Sequence, residues 1–129
     1  METGIKGVRE IAVTEDRTAK AMGSGELPVF ATPAMIALIE ETCWRSVADR
    51  LSEGEGTVGT KLDIAHTAAT PLGMHVRCES VLTEVDGRKL VFRAEVFDEK
   101  GKVGEGTHER FIISNEKFLK KTEAKRDGI

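Results

Sequence analysis

Three residues of this chain have the types and spacing to move protons at a carbonyl group: Thr32, Glu40 and His66. Glu40 lies in the stretch "TPAMIALIEETCWRSVADRL", residues 32–51. At about 100° per residue, Ile36, Glu40, Cys43, Val47 and Leu51 share one helical face, and Trp44 borders it. A carboxylate therefore stands inside an apolar stripe, whereas Glu41, Arg45 and Asp49 fall on the far side where charges belong. Acids are rarely buried unpaired, so Glu40 requires a hydrogen-bonded partner, a wet pocket or a subunit interface. His66 is the second anomaly. Period-two alternation along "TVGTKLDIAHTA" groups Val58, Thr60, Leu62, Ile64, His66 and Ala68 on one face, opposite Lys61, Asp63 and Thr67. Taken alone, such a histidine is more often a satisfied core residue than a catalyst. Beside an inward Glu40 on the helix that must cover this strand, it becomes half of an acid and imidazole pair suited to general acid–base work. Thr32, directly before Pro33, is already explained as a helix N-cap. Its hydroxyl also lies at the positive end of a helix dipole, a setting that suits a carbonyl oxygen or an attacking water.

The elements that must hold these residues follow from punctuation and periodicity. "GIKGVREIAVT" reads as a strand, and "EDRTAKAMGSGELP" as one helical turn followed by an irregular loop. The spacing predicts a helix from Pro33 to Leu51, stopped by the glycines of "SEGEG". Four strand-like segments then follow: "TVGTKLDIAHTA", "MHVRCESVLTEV", "KLVFRAEVF" and "KVGEGTHERFII". Asp86-Gly87 and "DEKG" at Asp98 to Gly101 mark tight hairpins, and "ATPLG" separates the first two of the four. The order strand, long helix, four strands is an α+β pattern in which one helix covers one face of a mainly antiparallel sheet.

With 129 residues and neither repeat nor linker, the chain is expected to be one domain, residues 1–129, in which 115–129 form a charged C-terminal helix or tail. No apolar run is long enough to span a bilayer, and "METGIKGVRE" has no signal-peptide core, so a cytoplasmic location is expected. A net charge of -3, with Lys and Arg scattered among acids, argues against nucleic acid as a partner. Cys43 and Cys78 form no CxxC pair and read as buried free thiols. The histidines lack metal-ligand spacing, and there is no GxSxG elbow, P-loop or dinucleotide fingerprint, so neither metal nor cofactor is expected. His75 and His108 are given no role.

The motifs "FATPAMIALIEETC", "GTxxxxxHxAATPxG" (Gly59-Thr60, His66, Ala68 to Gly73) and "GTHERFII" (Gly106 to Ile113) together resemble the hotdog-fold thioesterases, in the branch similar to fluoroacetyl-CoA thioesterase. The resemblance covers nearly the whole chain. It implies a hotdog fold, one long central helix wrapped by a five-stranded antiparallel sheet, assembled as a homodimer with acyl-CoA sites at the subunit interface; whether dimers pair into tetramers stays open. It also implies catalytic roles for Thr32, Glu40 and His66, and substrate-binding positions at Gly59, near the thioester carbonyl, and Arg110. Coenzyme A would then be part of the substrate. Glu40 would activate water or attack the carbonyl directly, and His66 would transfer a proton or polarise the site. The branch places a phenylalanine lid where this chain has "MGSGELPVF", with Met22, Leu27 and only Phe30, so fluoroacetyl selectivity is not expected here. A small or medium acyl group is the expected substrate. Two other readings share the fold: a noncatalytic acyl-CoA or small-ligand binding module, and a hydratase acting on an enoyl thioester.

Overall fold

The computed structural model describes residues 1–128. Strand β1 (Lys6–Ala12) leads through a short 3-10 turn (Glu15–Arg17) and the single helical turn α1 (Ala19–Met22) into the long helix α2 (Thr32–Val47). Strands β2 (Glu55–His66), β3 (His75–Asp86), β4 (Lys89–Asp98) and β5 (Lys102–Ser114) follow, and α3 (Asn115–Ala124) closes the chain. The five strands form one sheet in the order β1-β3-β4-β5-β2, with every neighbouring pair antiparallel. This is the expected helix and five-stranded sheet. Residue 129 of the charged tail lies outside the described residues.

Both hairpin signals act as the sequence predicts. Asp86 pairs with Lys89 across a two-residue turn whose Gly87 has φ 61°, a left-handed value that favours glycine. Asp98 Oδ1 accepts the Lys100 and Gly101 backbone N–H groups at 2.8 and 3.1 Å, closing the second turn.

The helix departs from expectation in two ways. Its α-helical run stops at Val47 and continues as a 3-10 turn over Ala48–Arg50 instead of reaching Leu51. The buried face is also rotated: Met35, Leu38, Ile39, Thr42, Cys43 and Val47 point into the core, while Ile36 and Glu40 lie on its shoulder. The narrow stripe read from the sequence spanned one edge of this wider face.

The helix sits off-centre. It packs mainly on β1 and β3, with fewer contacts to β2 and β4. The core of Val76, Cys78, Leu82, Phe92 and Val96 beneath it is sealed, but β2 at the sheet edge is largely exposed and Leu62 remains 37% accessible. Burial at the helix interface pushes the Cys43 thiol up to about 12 and the Cys78 thiol up to about 11, so both stay protonated. Among the described residues, no helix is long and apolar enough to cross a membrane.

Candidate active site

Strand β2 carries the first half of the site, and a bulge decides how. Pairing with β5 slips between Gly59 and Lys61, leaving Thr60 extra. Beyond the bulge, Leu62, Ile64 and His66 face the helix, as expected. Before it the faces exchange: Gly59 pairs with the buried Arg110 and faces in, while Val58 pairs with the exposed Phe111 and faces out. Uniform alternation had wrongly grouped Val58 and Thr60 with His66; one extra residue inverts the strand.

Thr32 and His66 meet. The N-cap position belongs to Ala31, and the Thr32 hydroxyl turns away from the helix end to hydrogen-bond His66 Nδ1 at 2.8 Å. Phe30 stands edge-on to the imidazole with ring centroids 6.3 Å apart. His66 Nε2 is shielded from solvent and has no hydrogen-bond partner among the described residues. Burial lowers the His66 pKa, partly offset by the nearby Ala68 backbone, so the ring is neutral at neutral pH. The dyad borders an open hollow of about 340 Å³ walled by Ser24, Val29, Phe30 and Ala68.

Glu40 lies elsewhere. Eight residues along α2 place it roughly 12 Å from Thr32 at 1.5 Å per residue. Among the described residues no hydrogen bond joins it to Thr32 or His66. The expected pairing of Glu40 with His66 within one chain is therefore not what forms. The Glu40 partner is Arg110, whose Nη1 lies 3.5 Å from Glu40 Oε2; the guanidinium side chain is 7% exposed and the carboxylate 38%. A helix set toward β1 and β3 explains this exposure, because the Glu40 shoulder overhangs the uncovered strip of β5 and β2. Gly59 lies directly beneath: a Cβ there would sit 2.7 Å from Glu40 Oε2.

Arg110 is held by three further bonds. Its Nε donates to Thr57 Oγ1 at 2.8 Å, Nη2 to the Thr57 carbonyl at 2.9 Å, and Nη1 to His108 Nε2 at 3.1 Å. His108, given no role from the sequence, is fully buried. The signal was available: Gly106, His108 and Arg110 recur at period two, so any face that took Arg110 had to take His108. A second hollow of about 290 Å³ opens beside Arg110, walled by Trp44, Ala48, Leu51 and Thr57. Among the described residues no group of three or more His, Cys, Asp or Glu gathers to hold a metal ion.

The profile of the fluoroacetyl-CoA-specific thioesterase family matches residues 13–116. The chain belongs to this family. It is 44% identical over 97 residues to the fluoroacetyl-CoA thioesterase of Streptantibioticus cattleyicolor, covering 75% of this chain and 70% of that one. A threonine-to-serine mutant of fluoroacetyl-CoA thioesterase, solved in complex with acetyl-CoA, superposes with a TM-score of 0.92 at 37% identity, over 97% of this chain and 98% of the other. A thioesterase superfamily member from Thermus thermophilus matches with a TM-score of 0.88 at 26% identity, over 99% and 97% of the two chains. The chain is thus a thioester hydrolase of the hotdog fold, and the noncatalytic reading is not favoured.

The two inward imidazoles of this thioesterase predict its acid sensitivity. Both His66 and His108 have pKa values lowered from 6.5, chiefly by burial. The unfolded chain therefore binds more protons than the folded one just below that value, and stability is lost as pH falls through it. Urea midpoints measured at fixed protein concentration should be lower about one unit below 6.5 than about one unit above it. Equal midpoints would show that the folded chain accommodates both imidazolium ions.

Proposed function

We propose that this protein is an acyl-CoA thioesterase that hydrolyses a small or medium acyl thioester to the free acid and coenzyme A. The observation that carries the reading is Glu40: a carboxylate beside a buried guanidinium, yet 38% exposed and so within reach of water. Glu40 acts as general base, taking a proton from the water that attacks the thioester carbonyl. Uncapped backbone N–H groups at the start of α2, beside Thr32, receive the oxyanion. Collapse of the tetrahedral intermediate breaks the C–S bond, the proton that Glu40 took from water passes to the leaving thiolate, and His66, neutral and oriented by Thr32, polarises the site by hydrogen-bonding the sulfur as it leaves. Gly59 gives the carbonyl close access to the backbone, and Arg110 supplies the fixed charge behind Glu40. The likeness to a related enzyme solved with acetyl-CoA supports an acyl-CoA substrate. The loop Met22–Phe30 supports an acyl group other than fluoroacetyl: Met22 and Leu27 are exposed, and its one phenylalanine is buried against His66.

The separation of Glu40 from the Thr32–His66 dyad supports a site completed by a second copy. Among the described residues strand β2 pairs with β5 alone, leaving a twelve-residue edge whose outer N–H and C=O groups can pair. Antiparallel pairing of two β2 edges, centred on Asp63, matches inward Leu62 with the partner's Ile64 and sets the Gly59-Thr60 bulge of one chain opposite the partner's His66. Each dimer then holds two sites, with Glu40, Gly59 and Arg110 from one protomer and the Thr32–His66 dyad from the other. A homodimer of this kind, acting in the cytoplasm, is the assembly we propose.

Free-thiol release from a panel of acetyl-, fluoroacetyl-, branched, aryl- and medium-chain acyl-CoAs tests the reaction; silence across the panel would overturn it. Subunit mixing tests the site. Inactive Glu40→Gln and His66→Ala dimers, dissociated and reassembled together, should recover about a quarter of wild-type activity, since half the dimers are mixed and each mixed dimer holds one intact site. No recovery, with mixed dimers demonstrated, would place all three residues in one chain's site.

A further inference from the structure

His108 lies within the layer between helix and sheet, fully buried, with Phe92 stacked on its ring at 6.3 Å and 29° between planes. Its Nδ1 is 2.8 Å from the Lys61 carbonyl, which can only accept, so Nδ1 carries the proton. Nε2 is then an acceptor, and it takes the Arg110 Nη1 donor at 3.1 Å. With Thr57 binding the other two guanidinium nitrogens, Arg110 is fixed at three points. Its Nη1 stops 3.5 Å from Glu40 Oε2, beyond the roughly 2.7–2.9 Å of a charge-assisted hydrogen bond.

We propose that His108 is a positioning residue for thioester hydrolysis: by engaging Arg110 Nη1, it holds the guanidinium back from Glu40, leaving the carboxylate oxygen free to take a proton from water. This rests on the reading of Glu40 as general base. Without the imidazole acceptor, Nη1 can close on Glu40, and a tight ion pair makes the carboxylate a weaker base. Burial, with Arg110 adding to it, lowers the His108 pKa against the Lys61 hydrogen bond that raises it, so the ring remains a neutral acceptor. The other groups facing this cluster do not compete for the guanidinium. From α2, Cys43 is a thiol kept protonated by burial. β4 presents only Leu90 and Phe92, while β2 presents Thr57, Gly59 and the Lys61 backbone. Glu109 on β5 pairs with Lys89 at 3.6 Å on the opposite face.

The test compares His108→Leu and His108→Gln in the full-length protein, reading thiol release against pH with an acyl-CoA that the wild type turns over. His108→Leu should lower kcat by about tenfold or more, the factor one hydrogen bond to a charged group is worth. The acid limb of kcat should also move to lower pH, since an ion-paired carboxylate is harder to protonate. His108→Gln, whose side-chain carbonyl can accept from Nη1, should restore most of kcat and the wild-type limb. Equal impairment of both variants, or a wild-type limb in His108→Leu, overturns the proposal. Imidazole nitrogen NMR of the wild type gives a readout independent of turnover and of variant folding. A neutral His108 with Nδ1 protonated below pH 6.5 supports the proposal; an imidazolium or an Nε2–H overturns it. A wild type that releases no thiol from any acyl-CoA overturns the hydrolysis reading beneath it, whereas an active wild type with the wrong tautomer overturns this inference alone.

Discussion

Replacing Glu40 by glutamine should reduce kcat by about 10²–10⁴-fold, the range that a positioned general base contributes, with KM little changed. The amide fills the same volume at a half-exposed shoulder, so α2 and its buried face of Met35, Leu38 and Ile39 have no reason to move. What changes is charge. Arg110 loses its anionic partner but keeps three hydrogen bonds, to Thr57 and His108. The cost in stability should therefore fall well short of the roughly 3–5 kcal/mol of a broken buried ion pair, because Glu40 is 38% exposed and its pairing is screened by solvent. Thiol-release kinetics and a denaturation midpoint on the same preparation separate the two effects. A variant that keeps wild-type turnover would remove Glu40 from the chemistry.

Gly59→Ala should be nearly as damaging to catalysis, for a steric reason. The new methyl carbon would lie 2.7 Å from Glu40 Oε2 and 3.2 Å from both Arg110 Nη1 and His108 Cε1. Arg110 and His108 are pinned by their hydrogen bonds, so the carboxylate must give way. A displacement of about 1 Å from a productive geometry can cost about 10²-fold in rate. Folding should suffer little, since alanine in a strand interior is favoured over glycine by about 0.5–1 kcal/mol. The measurement is kcat with the urea midpoint beside it; full activity would show that the carboxylate tolerates the shift.

Much of this arrangement was legible in the sequence because turn chemistry and hydrophobic period are local. The Gly87 turn, a helix start within one residue of Pro33 (though its N-cap is Ala31 and not Thr32), and the inward Leu62, Ile64 and His66 follow from neighbouring residues alone. Three features were not. The Thr60 bulge is marked by Gly59 alone, a strand glycine that fits a bulge or a close backbone approach equally well, and it exchanged the roles of Val58 and Gly59. The lateral offset of α2 over β1 and β3 is a tertiary property, and it turned Glu40 from a residue buried in a stripe into one on an open shoulder. The distance between Glu40 and the dyad is the third lesson: periodicity says that two residues face the same layer, not that they touch.

The off-centre helix divides the labour of the sheet. Cohesion is concentrated on the β1, β3 and β4 side, where Cys78, Leu82, Phe92 and Val96 are wholly enclosed. The proposed site lies on the opposite flank, on β2, the inner face of β5 and the loop before α2. Trp44 and Ala68, which line the two hollows, are exposed, so substitutions there draw little on the stability margin that limits how far a protein sequence can wander. A scaffold partitioned in this way can exchange one acyl preference for another while its folding problem stays the same.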